Sequence, residues 1–147
     1  MAANRQIQTW QKLVELAEIE MDSAAKTLQM MRQTETQDQE QLDSLKNYVE
    51  EYNQAGIDQR QSLSQLNTYR LFAGKLMQAI ESQTQKCEQS AAMVDKAQQA
   101  WLAKRARHKA LSQLLAKFQL DRETKLNKQE QKMLDELAAQ QSQNAQN

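Results

Sequence analysis

Apolar side chains recur at alternating spacings of three and four residues along most of the chain, with one interruption near residue 56. This spacing places one apolar stripe on a helix and predicts a coiled coil, because the stripe has to pack against another helix. The chain has no proline and only two glycines, and one of these, Gly56, lies in the polar stretch 53–65. We therefore predict an all-α fold, an antiparallel two-helix coiled-coil hairpin whose second helix is the longer.

The pattern also sets approximate bounds for the two helices, which together form a single predicted coiled-coil domain. The first helix is predicted over about residues 4–54 and a loop over about 55–61. The second helix is predicted over about 62–140, and a polar tail at 141–147 is expected to be frayed.

Two residues are candidates for the cap that begins the second helix. Ser62, with Gln65 three residues later, resembles a capping box, in which a hydroxyl accepts a hydrogen bond from the backbone of the first turn. Asp58 is the second candidate, because a carboxylate also caps helices well.

The apolar repeat defines the residues of the seam between the two helices. It runs from Ile7 to Tyr52 in the first helix, where only Glu35 and Asp38 break it, and from Leu66 to Phe118 in the second. We expect the two acidic residues to mark a flexible or register-setting turn, since polar seam residues reduce stability but specify pairing.

Side-chain size suggests how the helices are aligned. When Ala17 faces Trp101, large residues meet small ones in layer after layer, as close packing requires. The same alignment pairs Ile7 with Leu111, so the chain beyond residue 111 is expected to lack an intramolecular partner and to keep an exposed apolar stripe.

Two aromatic residues lie outside the seam near the predicted loop. The favoured alignment places Tyr48 directly across from Phe72, with Gln41 and Ala79 forming the next pair on the same flank. Aligned aromatic residues in a chain that is only 5% aromatic favour a protein-binding hot spot over simple shielding of the seam.

The formal net charge is zero, so the whole chain has no field that attracts nucleic acid or an anionic membrane. Residues 96–132 nevertheless carry 10 basic and 3 acidic groups. The run Lys104–Lys109 is read first as solvated helix surface and second as a contact for an acidic protein. It lacks the interleaved aromatic residues of a nucleic-acid site.

No motif for catalysis, a metal or a cofactor is present. The chain has one histidine and one cysteine, His108 and Cys87, whose separation fits no metal-ligand spacing, and it has no glycine-rich phosphate loop. Both residues occupy seam positions, and we interpret them as packed seam residues. We predict that the protein is not an enzyme and that it uses no cofactor.

The chain begins without the apolar run of a signal peptide, and no stretch approaches the roughly 20 apolar residues that span a bilayer. A single cysteine favours a reducing compartment. We expect a cytoplasmic protein.

Four strings in the chain carry a family likeness. In order they are Tyr48–Tyr52, Tyr69–Phe72 with Leu76–Glu81, Ala100–Arg105 and Gln131–Glu136. With their spacing, the chain length and the position of the hairpin, they resemble the flagellar export protein FliJ family over nearly the whole chain.

The resemblance implies a non-enzymatic component of the flagellar type III export apparatus that is required for motility. Members of that family form a coiled coil similar to the central stalk of rotary ATPases and insert into the hexameric export ATPase FliI. They also bind the export gate protein FlhA, and the resemblance further implies contacts with FliH and export chaperones. It implies a monomer when free, located at the cytoplasmic face of the inner membrane through its partners.

Site residues carry over from the family for the gate contact only. Those residues are Gln41, Leu45, Tyr48, Tyr52, Phe72, Leu76, Ala79 and Gln83. For the ATPase ring we expect basic residues of the second helix, namely Lys104, Arg105, Arg107, Lys109, Lys117, Arg122 and Lys125.

Three other interpretations remain open. The chain is alternatively a structural coiled coil that self-associates through its exposed stripe, or the stalk of a related virulence secretion system with different cargo. A prefoldin-like chaperone is less favoured, because the chain has no strand-forming segments.

Overall fold

The computed structural model describes the backbone of residues 2–59 and 62–146, and the side chains of residues 2–55 and 62–146. Two helices account for the described chain, α1 (Ala2–Gln59, 58 residues) and α2 (Leu63–Gln146, 84 residues). They pack against each other as an antiparallel coiled-coil hairpin, which confirms the predicted all-α fold with a longer second helix.

Both helices are longer than the sequence pattern suggested. α1 continues through Gly56 to Gln59, and α2 is helical as far as Gln146, where a frayed tail was expected. A glycine inside a helix costs only about 1 kcal/mol relative to alanine, and no proline is present to stop either helix. Of the predicted loop at 55–61, residues 60 and 61 lie outside the described residues, as does residue 147 of the tail.

Ser62 caps the start of α2, as the capping-box pattern predicts. Its Oγ accepts a hydrogen bond from the backbone N–H of Gln65 at 3.2 Å, and its carbonyl accepts one from the backbone N–H of Leu66 at 3.0 Å. Asp58 lies within α1 and does not begin α2, and its side chain lies outside the described residues.

Threonine is a poor helix former, yet all seven threonines of the chain lie in these helices. Each hydroxyl donates a hydrogen bond to the backbone carbonyl four residues earlier, at 2.7–3.1 Å. The local bond satisfies the hydroxyl without a tertiary partner, so threonine is tolerated here on exposed as well as partly buried faces.

The predicted seam is confirmed by burial. Every seam position from Ile7 to Tyr52 in α1 and from Leu66 to Phe118 in α2 is buried or half-buried. Ala17, Leu28 and Leu42 are among the most buried, at 3%, 6% and 5% exposure. Among the side chains of residues 2–55 and 62–146 none is completely enclosed, because a seam residue between two helices keeps one side open to solvent.

The chain divides into two compact units. We call the first the terminal unit (Met1–Asp22 with Ala103–Asn147) and the second the tip unit (Ser23–Leu102), which contains the connection between the helices. α1 and α2 each contribute to both units.

The alignment favoured by side-chain size is wrong by about one heptad. In the terminal unit the ring of Trp10 packs on Phe118 at 5.4 Å between centroids, where the expected alignment placed His108 opposite Trp10. In the tip unit Asp38 bonds with Gln83 and Ser90, whereas the expected alignment placed it opposite an apolar residue. Size complementarity alone does not fix an alignment that shifts by whole heptads, because the seam remains apolar after the shift.

In the observed alignment, α2 also remains packed on α1 further along the chain than was predicted. Leu115 and Phe118 are half-buried, so the packed part of α2 extends beyond residue 111. Every described residue from 119 to 146, which we call the α2 extension, is exposed. Its large apolar residues include Leu126, Met133 and Leu137, at 50%, 64% and 52% exposure.

We predict that Gly74→Ala stabilises the hairpin by about 0.5–1 kcal/mol. Gly74 lies inside α2, and a Cβ built there has no atom within 4 Å, so alanine adds helix propensity without a clash. Urea unfolding followed by circular dichroism measures the change. The exposed position Ala92 provides the inverse control, since Ala92→Gly should cost a similar amount. A loss of stability in Gly74→Ala would contradict the open surroundings of this glycine.

Candidate protein-binding sites

Four aromatic rings from both helices form a continuous group in the tip unit, which we call the aromatic patch (Tyr48, Tyr52, Tyr69 and Phe72). Tyr52 stacks on Tyr69 at 5.1 Å between centroids with an interplanar angle of 4°, and it meets Phe72 at 4.7 Å. Tyr48 meets Phe72 edge-on at 6.4 Å. The Tyr69 hydroxyl donates a hydrogen bond to Oδ1 of Asn53. The patch is therefore built by ring–ring packing across the two helices.

The aromatic patch is partly open to solvent. Tyr48 is 48% exposed, while its partner Phe72 is half-buried, so one edge of the group is accessible to a second protein. Tyr48 and Phe72 touch as predicted, but the closer contact of Phe72 is with Tyr52. The pairing of Gln41 with Ala79 was predicted from the alignment that the structure overturns, and it stays a prediction.

The residues predicted to contact the export gate are not all surface residues. Gln41 is exposed, whereas Leu76 and Gln83 are only 8% and 5% exposed. The Gln83 side-chain amide donates a hydrogen bond to the backbone carbonyl of Asp38 at 2.8 Å. Leu76 and Gln83 therefore stabilise the interior of the seam in this structure. Of the five remaining predicted residues, Tyr48 is exposed and four are half-buried, namely Leu45, Tyr52, Phe72 and Ala79.

Sequence reasoning treated Tyr69 only as a seam residue and did not include it in the patch. Its ring is the stacking partner of Tyr52, so it supports the part of the patch nearest the connection between the helices. The signal was present in the sequence, because Tyr69 is an aromatic seam residue three positions before Phe72 and hence on a neighbouring part of the same helix face.

In the terminal unit, Lys104 of the predicted ATPase-binding set already has an intramolecular partner. Its Nζ lies 3.2 Å from Oε2 of Glu20, and the two side chains are 42% and 36% exposed. An ion pair this open to water contributes little to stability. It does, however, offset part of the positive charge expected to meet another protein.

A cleft in the terminal unit is lined by two other residues of the set predicted to bind the ATPase. Arg122 and Lys125 line a cleft of about 570 Å³ together with Ile7, Phe118 and Leu126. It lies where α2 continues past the beginning of α1, and Ala3, Asn4 and Gln6 of α1 also line it. Apolar and basic groups therefore adjoin one another at this end of the terminal unit.

The basic excess of α2 is located mainly in its packed segment. Residues 96–118 carry six basic and no acidic side chains, while the α2 extension carries four basic and five acidic ones. The extension is thus distinguished by exposed apolar groups and mixed charge. The other basic residues predicted to meet the ATPase are exposed on the packed segment, namely Arg105, Arg107, Lys109 and Lys117.

Cys87 is a half-buried free thiol in the tip unit. Partial burial raises its pKa above the usual value, and the nearby carboxylates Asp38, Asp43 and Glu35 raise it further, while Lys46 acts in the opposite direction. The thiol is therefore protonated near neutral pH and is a poor nucleophile.

Over residues 2–59 and 62–146 no group of three or more His, Cys, Asp or Glu side chains is placed to hold a metal ion. Within that same part of the chain, neither helix contains a segment sufficiently long and apolar to cross a lipid bilayer.

We predict that Cys87 reacts with iodoacetamide more slowly than an exposed thiol at pH 7–8. The comparison protein is Ser82→Cys in a Cys87→Ser background, because Ser82 is exposed on the same helix. Because the pKa of Cys87 is raised by folding, its contribution to stability is complete below the pKa of the unfolded thiol and is lost as pH rises through the folded pKa. The chain should therefore lose more stability on the alkaline side than Cys87→Ser does. Equal alkylation rates of the two thiols would contradict this account.

Comparison with known protein families matches nearly the whole chain. The family model described as Flagellar FliJ protein matches residues 7–147, nearly the whole chain. No curated protein and no solved structure matches the chain. Members of the matched family belong to flagellar type III protein export and are non-enzymatic components of it. On this match, which covers both helices of the hairpin, the chain belongs to the flagellar FliJ protein family.

Proposed function

We propose that this chain is a non-enzymatic stalk of the flagellar export apparatus, which enters the export ATPase ring and also contacts the export gate and substrate chaperones. Family membership supports the general role in export. The aromatic patch is the single observation that most favours a specific contact, because exposed aromatic groups anchored by packing are typical of binding hot spots.

The gate contact is assigned to the aromatic patch and the flank beside it. Tyr48 supplies the accessible ring and packs edge-on against Phe72, which in turn packs on Tyr52. A ring group fixed in this way loses little side-chain freedom on binding, so more of the contact energy is retained as affinity. Gln41 and Ala79 complete the assigned surface, while Leu76 and Gln83 contribute from the interior.

The ATPase contact is assigned to the terminal unit. Its α2 extension exposes large apolar residues such as Met133, and the part of the extension nearest α1, with Arg122 and Lys125, lines the cleft. An isolated helix with an apolar stripe is marginal in water, so a partner that covers the stripe also stabilises the helix. Arg107 and Lys109 offer additional exposed positive charge for an acidic surface of the ring.

The proposed location is the cytoplasmic face of the inner membrane, reached only through protein partners. FliH and the export chaperones are further proposed partners, and nucleic acid is not among them. The formal net charge of zero supports binding to proteins over nucleic acid.

The exposed apolar residues of the α2 extension also favour a second candidate, a coiled coil that assembles with itself. Sedimentation equilibrium at micromolar concentration distinguishes the two functions. The stalk proposal expects a monomer in the absence of partners, and a concentration-dependent oligomer would favour the structural assembly.

We expect Tyr48→Ala combined with Phe72→Ala to weaken binding to the cytoplasmic domain of the export gate by about 30-fold or more. Loss of a hot-spot aromatic residue costs about 2 kcal/mol, which corresponds to this change. Calorimetric titration measures the affinity, and circular dichroism verifies that the helices persist.

A matched control for that experiment is available on the same helix. Leu71 and Met77 are 66% and 60% exposed, and neither belongs to the aromatic patch. Leu71→Ala with Met77→Ala should therefore leave gate affinity unchanged. Equal losses in both double variants, or no loss in the first, would remove the aromatic patch as the contact.

Truncation after residue 118 is expected to weaken binding to the export ATPase while leaving gate binding intact. The missing segment is exposed throughout its described residues and adjoins α1 at the cleft that Leu126 and Ile7 line, so we expect a small decrease in the unfolding temperature of the remaining hairpin. Pull-down with the ATPase and with the gate domain measures both interactions. Retained ATPase binding with lost gate binding would reverse our assignment of the two contacts.

A further inference from the structure

Polar seam residues of the two helices meet in one place within the tip unit. Asp38 of α1 accepts two hydrogen bonds from α2, one at its backbone carbonyl from the Gln83 amide at 2.8 Å and one at its carboxylate from the Ser90 hydroxyl. We call Asp38, Gln83 and Ser90 the polar cluster. Gln83 and Ser90 are 5% and 8% exposed. Among the described residues, every buried side-chain nitrogen and oxygen atom has a hydrogen-bond partner.

The observed alignment has a close competitor. Sliding α2 by one heptad keeps the seam apolar and sets Ala17 against Trp101 and Leu45 against Ala73, which is favourable on size alone. The interior of a two-helix seam therefore offers two alignments that apolar packing does not separate clearly.

Polar groups do separate them. In the competing alignment Asp38 faces Ile80, and the Ser90 hydroxyl faces a leucine of α1. A carboxylate or hydroxyl placed against apolar side chains loses its hydrogen bonds with water and gains none in return, which is costly. In the observed alignment the same groups satisfy one another.

We propose that the polar cluster selects the alignment of α1 and α2, and that Asp38, Gln83 and Ser90 are positioning residues for the aromatic patch. A slip of one heptad moves α2 by about 10 Å along α1. The competing alignment places Phe72 directly across from Tyr48, so what is lost in such a movement is the 4.7 Å contact by which Phe72 packs on Tyr52. Gln83 thus affects the patch through the alignment and without touching a partner. This last consequence, for binding to the gate, rests on the proposed function, whereas selection of the alignment does not.

The test measures alignment directly on the full chain. Spin labels at Ser44→Cys and Gln99→Cys, in a Cys87→Ala background that adds no polar group near Asp38, report one distance between exposed sites on the two helices of the tip unit. These sites are far apart along the hairpin axis, so the competing alignment lengthens the distance by about 10 Å. Pulsed electron–electron double resonance resolves such a difference.

The test variant combines Asp38→Leu, Gln83→Leu and Ser90→Ala, which makes the cluster apolar. We expect a second, longer distance, with an unfolding temperature that is unchanged or higher, because replacing a buried polar group and its partners together by apolar residues is often neutral or stabilising. A single unchanged distance would overturn the proposal.

The matched control removes three apolar seam residues from the same unit, by Leu45→Ala, Val49→Ala and Ile80→Ala. The control variant should have a lower unfolding temperature and still show one distance between the spin labels. If the polar cluster contributed only to stability, the test variant and the control would not differ in the number of distances. Two distances in the control would show that apolar packing selects the alignment, and would equally overturn the proposal.

A second measurement decides the matter if the apolar variant does not fold. In a double-mutant cycle, Asp38→Ala and Ser90→Ala should lower the unfolding temperature by less together than the sum of their separate effects. Strictly additive losses would show that the two side chains do not act as a pair. The affinity of Gln83→Leu for the gate then tests whether the alignment affects gate binding. A loss of affinity without a change in the distance between the spin labels would indicate that Gln83 contacts the gate directly.

Discussion

The hydrogen bonds that Asp38 accepts from Gln83 and Ser90 are the constraint on which the tip unit depends. An apolar seam supplies most of the attraction between two helices, but it is nearly indifferent to shifts by a whole heptad. Directional bonds between groups that are costly to bury alone are not indifferent in this way. A few polar groups therefore determine which residues of α2 meet which residues of α1.

Much of the fold follows from the pattern of the sequence. The spacing of residues such as Ala17, Leu28 and Leu42 predicted the seam, because helical periodicity places them on one face whatever the partner is. The role of Ser62 was equally predictable, since a helix start requires a group that accepts hydrogen bonds from its first turn. The prediction that Gly56 lies in the loop between the helices was wrong, because a helix tolerates the modest cost of one glycine when nothing else interrupts it.

The alignment and the interior of the candidate gate surface were less predictable. Matching Ala17 with Trp101 used only volume, and volume alone did not reveal that Asp38 finds partners in one alignment and lacks them in the other. Gln83 was assigned to the gate surface from the family resemblance alone, and a resemblance between sequences does not show whether a side chain is exposed; in the structure Gln83 is buried in the seam. The contact of Tyr48 with Phe72 was predicted despite the wrong alignment, and the two rings meet edge-on at 6.4 Å between centroids.

In the α2 extension, the residues available to bind another protein are not the residues that stabilise the fold. Leu126, Met133 and Leu137 are largely exposed, so replacing them has little effect on the free energy of unfolding of the hairpin. Any protein that binds the α2 extension contacts these residues directly. The strength of that association can therefore be raised or lowered by sequence changes that leave the folded state intact, a freedom that the packed half of the same helix does not have.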